Sequence, residues 1–119
     1  SMGYEVVDYG CYSNERVDYP DFAHALANGY SNGEITTGIV ICGSGNGINM
    51  SVNKHSDIRS ALCWNTELAV LAKQHNNANV LALPARFISE EMAKNCVEAF
   101  FNASFEGGRH ENRVAKISC

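Results

Sequence analysis

The stretch GIVICGSGNGINM, Gly38 to Met50, sets a thiol at the end of an apolar run and follows it at once with closely spaced glycines. A strand ending at Cys42, with a loop Gly43-Ser44-Gly45-Asn46-Gly47 leading into a helix, places a nucleophile or base next to backbone N–H groups. Glycines let the backbone approach a ligand, and the free N–H groups of a helix start favour anions, including an oxyanion that develops during a reaction. No Lys-Ser/Thr pair follows Gly47, so the loop is not of the Walker type. A structural cysteine followed by a tight turn fits the same letters.

Two further groups carry chemistry. In KQHNNANVLAL, His75 falls at the end of a helical stretch just before a strand, near the rim of the sheet. It can act on a ligand there, or simply complement the helix end with its charge, and the asparagines after it suit a turn as well as a site. In GGRHENR, Arg109 and Arg113 are four residues apart and share one face if the segment is helical, which suits bidentate recognition of a phosphate. A solvated tail with Glu106 and Glu111 as partners is the competing reading. Arg86, in LPARFIS, is another cation at the rim.

These residues need elements to hold them. Four short apolar runs read as strands: Glu5 to Asp8, Gly38 to Cys42, Ser60 to Trp64 and Val80 to Leu83. They are nearly continuous rather than alternating, as in parallel strands covered on both faces. Helical stretches lie between them at about Tyr19 to Tyr30, Gly47 to Lys54 and Thr66 to His75. A further helix runs from Ser89 to Asn102, with Met92, Cys96, Ala99, Phe100 and Ala103 at helical spacing and Ser89 as its N-cap. In VDYPDFA, Pro20 marks a helix start with Asp18 ahead of it as the capping group. The tail forms a short helix from Arg109. Strand and helix alternate, which predicts an α/β fold, a three-layer α/β/α arrangement around a mostly parallel, Rossmann-like sheet.

The 119 residues suit one domain, residues 1–119, and the net charge of -4 gives no reason to expect nucleic acid or an anionic membrane as a partner. No apolar stretch approaches the roughly 20 residues that span a bilayer and no leader precedes the domain, so the chain reads as cytoplasmic. Cys11, Cys42, Cys63, Cys96 and Cys119 show no CxxC pair and no zinc-like spacing, so reduced thiols and no metal are expected. Cys63, Cys96 and Cys11 read as structural.

Taken together, VDYGCYSNERVDYPDFA, GIVICGSGNGINMSVNK, IRSALCWN, AKQHNNANVLAL and FEGGRHENRVAKI resemble ribose-5-phosphate isomerase type B, in order from Tyr4 to about Ile117. The resemblance implies an aldose–ketose isomerase that interconverts ribose 5-phosphate and ribulose 5-phosphate through an enediolate, with no metal or organic cofactor. Galactose-6-phosphate and allose-6-phosphate isomerases share most of these motifs. Carried over by position, Cys42 matches the base that moves a proton between two carbons, and Ser44 the loop hydroxyl near the intermediate. Gly43, Gly45, Asn46 and Gly47 match the anion-stabilising loop. His75 matches the histidine that assists ring opening, with Asn76 as its neighbour, while Arg86, Arg109 and Arg113 match the cations that hold the phosphate. Some members use a glutamate in the loop instead of the cysteine, but that position here is Ile48, so this chain is of the cysteine type. An ordinary thiol is only a few per cent ionised at neutral pH, so such a base gains from a helix start beside it.

The resemblance also implies a homodimer, with or without further pairing into a tetramer, whose active sites take residues from both subunits. In the family a strand ending in an Asp-His pair and a helix precede the counterpart of GYEVVDYG, and that strand lies between the counterparts of the Glu5 and Gly38 strands. The chain begins after them, with Ser1 ahead of Met2 reading as the remnant of a cleaved tag, so an N-terminally truncated sheet is expected. A catalytically silent dimer that still binds a sugar phosphate is the alternative expectation.

Overall fold

The computed structural model describes residues 5–10 and 18–118; Cys11, Cys119 and Val17 lie outside the described residues. The elements are α1 (Tyr19–Ser31), β1 (Gly38–Cys42), α2 (Asn46–Val52), β2 (Ser60–Leu62), α3 (Thr66–Asn76), β3 (Val80–Pro84), α4 (Glu90–Asn102) and α5 (Arg109–Ala115). The strands form a parallel sheet in the order β1-β3-β2, with Val80 opposite both Gly38 and Ser60.

β3 shows why the strands read as unbroken apolar runs. Every residue from Val80 to Pro84 is buried. Successive side chains of a strand point to opposite faces, and here Val80 and Ala82 join one core while Leu81 and Leu83 join the other. The first core takes Ala23, Leu26 and Ala27 from α1 and Ile48 and Val52 from α2. The second takes Ala69 and Ala72 from α3 and Cys96 and Phe100 from α4. Helices therefore cover both faces, the three-layer α/β/α arrangement expected. Burial of Phe100, fully inaccessible, contributes about 2–3 kcal/mol.

Local sequence sets most helix ends. The Ser89 hydroxyl accepts from the Met92 N–H at 3.0 Å, and the Asn65 side chain accepts from the Leu68 N–H at 2.9 Å. Asp18 occupies the N-cap of α1, but its side chain makes no capping bond; Pro20 in the first turn instead sets the backbone.

Two sequence expectations need correction. Glu5 to Asp8 form no strand, and Val6 is 82% exposed. Two valines supply β propensity, but a strand exists only where another strand completes its hydrogen bonds. The Ser60 strand stops at Leu62, and Trp64 stands outside it, 53% exposed. Its ladder continues only as far as the Cys63 N–H, which donates to Ala82.

Candidate active site

At the carboxyl end of the sheet, Cys42 is the last residue of β1 and lies beside Pro84 of β3. The loops that follow these two strands are stitched together: the Ala85 N–H donates to the Cys42 carbonyl at 2.9 Å and the Arg86 N–H to the Gly43 carbonyl at 3.0 Å. The Arg86 side chain crosses the space that a Cβ on Gly43 would enter, which sets its guanidinium stem over the loop. Gly45 caps α2 in the left-handed region, φ 79°, and a Cβ there would also strike the Leu62 side chain. Only glycine meets both demands. The Ser44 hydroxyl accepts from the Asn46 N–H at 3.2 Å and tightens the turn. Cys42 is a free thiol of intermediate exposure. Ile48, 6% exposed, belongs to the core, so its position sends no group toward the loop.

Beside this loop lies an open cavity of about 380 Å³, lined by Ser44, Asn46, Leu62, Trp64, Pro84 and Phe87. Around the same end Ile41, Trp64 and Phe87 are 59%, 53% and 75% exposed. Large apolar side chains gathered at one rim mark a surface suited to another protein surface.

His75 stands at the opposite end. In a parallel sheet the helix that joins two strands returns from carboxyl to amino end, and α3 does so between Leu62 and Val80. Its last turn therefore lies at the amino rim. Arg59, just ahead of β2, donates from its guanidinium to the Asn77 carbonyl at 3.0 and 3.1 Å. Asn77 is the left-handed C-cap of α3, and Asn79 is buried between Arg59 and Asp57. Two of the three asparagines after His75 are thus structural. Asn76 is exposed and lines a groove of about 460 Å³ with Asn53, His55, Arg59 and Ser60.

The tail returns to this end. The Glu106 N–H donates to the Gln74 carbonyl at 3.0 Å, which brings the turn before α5 alongside the end of α3. His110 then stacks on His75, with ring centroids 4.4 Å apart and planes 15° from parallel. One carboxylate oxygen of Glu106 lies 3.8 Å from Nε2 of His75 and 3.6 Å from Nε2 of His110. Burial, then the charges of His75 and Arg109, hold the His110 ring below its ordinary pKa. Arg109 and Arg113 are exposed on α5.

His75, Glu106 and His110 have the donor types of a metal site and lie within 4.8 Å of one another. Their arrangement suits a metal poorly. Stacked rings direct their lone pairs along parallel lines rather than to a point, and the Arg109 and Arg113 charges that reach His110 oppose another cation.

The expected site residues therefore fall into two groups. Cys42, Gly43, Ser44, Gly45, Asn46, Gly47 and Arg86 stand at the carboxyl end, while His75, Asn76, Arg109 and Arg113 stand at the amino end. His75 is at a rim, as expected, but not at the rim that holds the cysteine. Sequence reasoning did not single out Glu106 and His110 as neighbours of His75; their only local signal is a spacing of four residues.

The family model described as Ribose/Galactose Isomerase matches residues 1–117. Ribose-5-phosphate isomerase B of Escherichia coli K12 is 45% identical over 116 residues, covering 98% of this chain and 78% of that protein. The solved structure of ribose-5-phosphate isomerase B from Clostridium thermocellum superposes with a TM-score of 0.95 at 46% identity, covering 98% of this chain and 78% of that one. The Mycoplasma genitalium enzyme, solved with bound ribulose-5-phosphate, gives a TM-score of 0.90 at 42% identity, covering 96% and 76%.

Proposed function

The chain belongs to the ribose/galactose isomerase family, and from that premise we propose that it interconverts ribose 5-phosphate and ribulose 5-phosphate at a site shared between two copies. The carrying observation is the separation of Cys42 from His75 by the length of β3, about 13 Å of strand for its five residues. One chain cannot bring both groups to one sugar. A second copy can, and the exposed Trp64 and Phe87 around the cysteine rim suit burial against it. Pairing of such dimers into a tetramer is compatible with this arrangement.

In this reading His75 opens the furanose ring. Cys42, as thiolate, removes the proton from C2 of the open aldose, and the electron pair moves to form the enediolate. The proton on O2 passes to O1, the thiol proton returns to C1, and the C2–O bond becomes the carbonyl, which leaves the ketose with no change in composition. Ser44 and the backbone of the Gly43–Gly47 turn face the oxygens, where the N–H groups at the start of α2, beyond that of Asn46, which donates to Ser44, favour developing negative charge. Arg109 and Arg113 hold the phosphate with Arg86, and binding energy gained there positions the reacting carbons. Each step is a proton transfer among side chains and substrate, so the cycle is written with no cofactor. Among the described residues no helix is long and apolar enough to cross a membrane; with three free cysteines, this supports a reducing, cytoplasmic setting.

The test is a coupled assay with ribose 5-phosphate, run beside galactose 6-phosphate and allose 6-phosphate. Turnover of the pentose phosphate that Cys42→Ala reduces by about a hundredfold or more, with substrate still bound, supports the assignment. Substantial turnover in that variant contradicts Cys42 as the base.

A further inference from the structure

We propose that Glu106 is a positioning residue for His75: its carboxylate holds the proton on Nε2 and so leaves Nδ1 as the basic nitrogen that opens the sugar ring. This rests on the isomerase reading, in which His75 performs ring opening.

Three observations converge on it. The first is the tether. The backbone bond from Glu106 to Gln74 fixes the carboxylate's stem one residue from His75, so its proximity does not depend on a flexible tail. The second is direction. The Glu106 oxygen lies at the Nε2 edge of His75, at 3.8 Å, and a carboxylate accepts but does not donate, so it selects the tautomer with hydrogen on Nε2. The distance is longer than a hydrogen bond, and the same oxygen lies 3.6 Å from Nε2 of His110, so the two rings share the carboxylate until substrate closes the site and catalytic contacts tighten. The third is the backing. His110 is buried and lies nearly parallel to His75, which holds that ring in one plane beside the carboxylate.

The assignment defines the proton path. Nδ1 of His75 takes the proton of the anomeric hydroxyl, the O–H electron pair becomes the second bond of the C1 carbonyl, and the bond from C1 to the ring oxygen breaks. The ring oxygen then takes the same proton from Nδ1. Nothing is oxidised, and His75 ends as it began. Without the carboxylate the two tautomers compete, and the ring that presents N–H at Nδ1 cannot start this sequence.

The two directions of the reaction separate this role from a structural one. Ribose 5-phosphate must open before its C2 proton can leave, whereas ribulose 5-phosphate is already open, so exchange of its C1 proton with solvent needs Cys42 but not ring opening. In the full chain, Glu106→Ala should lower turnover of ribose 5-phosphate by about tenfold or more while exchange into ribulose 5-phosphate in deuterated water stays within about twofold of wild type. Glu106→Gln, which keeps the size and an accepting oxygen, should fall between. A parallel loss of exchange and turnover, or turnover of ribose 5-phosphate unchanged in Glu106→Ala, overturns the proposal. If the isomerase reading itself is wrong, wild type shows neither turnover nor exchange, an outcome distinct from both.

Discussion

The Asn79 side chain lies between two segments of backbone, accepting from the Arg59 N–H at 2.7 Å and donating to the Asp57 carbonyl at 2.8 Å. It is 7% exposed, and it ties the start of β3 to the chain that enters β2. The end of α3, and with it His75, is held in place through this join. Asn79→Ala leaves a part-buried N–H and carbonyl without their partner and should cost about 1–3 kcal/mol. Urea unfolding of the two proteins checks it; a change under about 0.5 kcal/mol counts against the join.

Gly45 is the hinge of the cysteine loop. Gly45→Ala forces a Cβ into a left-handed residue and into contact with Leu62. The expected loss is about 2 kcal/mol, with turnover falling further than stability because the loop carries Ser44 beside Cys42. Thermal unfolding and the coupled assay, run together, separate the two effects.

The buried His110 ring should leave a mark on stability against pH. Its folded pKa is lowered from the ordinary 6.5 by burial, the neighbouring His75, and the charges of Arg109 and Arg113, with Glu106 opposing. The unfolded chain therefore takes up its proton first as pH falls. Stability contributed by the neutral ring is present above about pH 6.5 and declines as pH drops below it. Urea unfolding between pH 5 and 7.5 should show this slope in wild type and a weaker one in His110→Gln. Equal slopes mean the ring is as accessible to protons folded as unfolded.

The three described cysteines should differ in reactivity. Burial, with Cys96 beside it, pushes the Cys63 thiol up to about 12, and burial raises Cys96 as well. At pH 8 a thiol near pKa 12 is ionised in only about one molecule in ten thousand, and it is the thiolate that reacts. Alkylation with peptide mapping should find Cys42 modified in the folded protein and Cys63 and Cys96 only after unfolding. Loss of activity should follow the Cys42 peptide, and ribose 5-phosphate should slow both.

Much of this was readable from the letters because the causes are local. Val80 to Leu83 is apolar throughout because both faces of β3 are covered, and Ser89 caps α4 through a contact three residues away. Glu5 to Asp8 failed because pairing is not a local property. The cysteine loop could be located from one strand end and a run of glycines. The separation of His75 from Cys42 was legible in principle, since a helix that precedes a parallel strand ends at the amino rim, and the family likeness, which implies sites shared between subunits, accommodates it. The contact of His75 with Glu106 and His110 spans more than 30 residues, and no period or motif announces it.

Complementation between two inactive variants tests the shared site most directly. Cys42→Ala and His75→Ala should each be inactive alone. When they are refolded together in equal amounts, half of the dimers are mixed, and each mixed dimer holds one site with both residues intact and one with neither. Activity should then recover to about a quarter of that of wild type at the same total concentration. Mixtures no more active than the separate variants, from samples shown to contain the mixed dimer, contradict a site made from Cys42 of one subunit and His75 of the other.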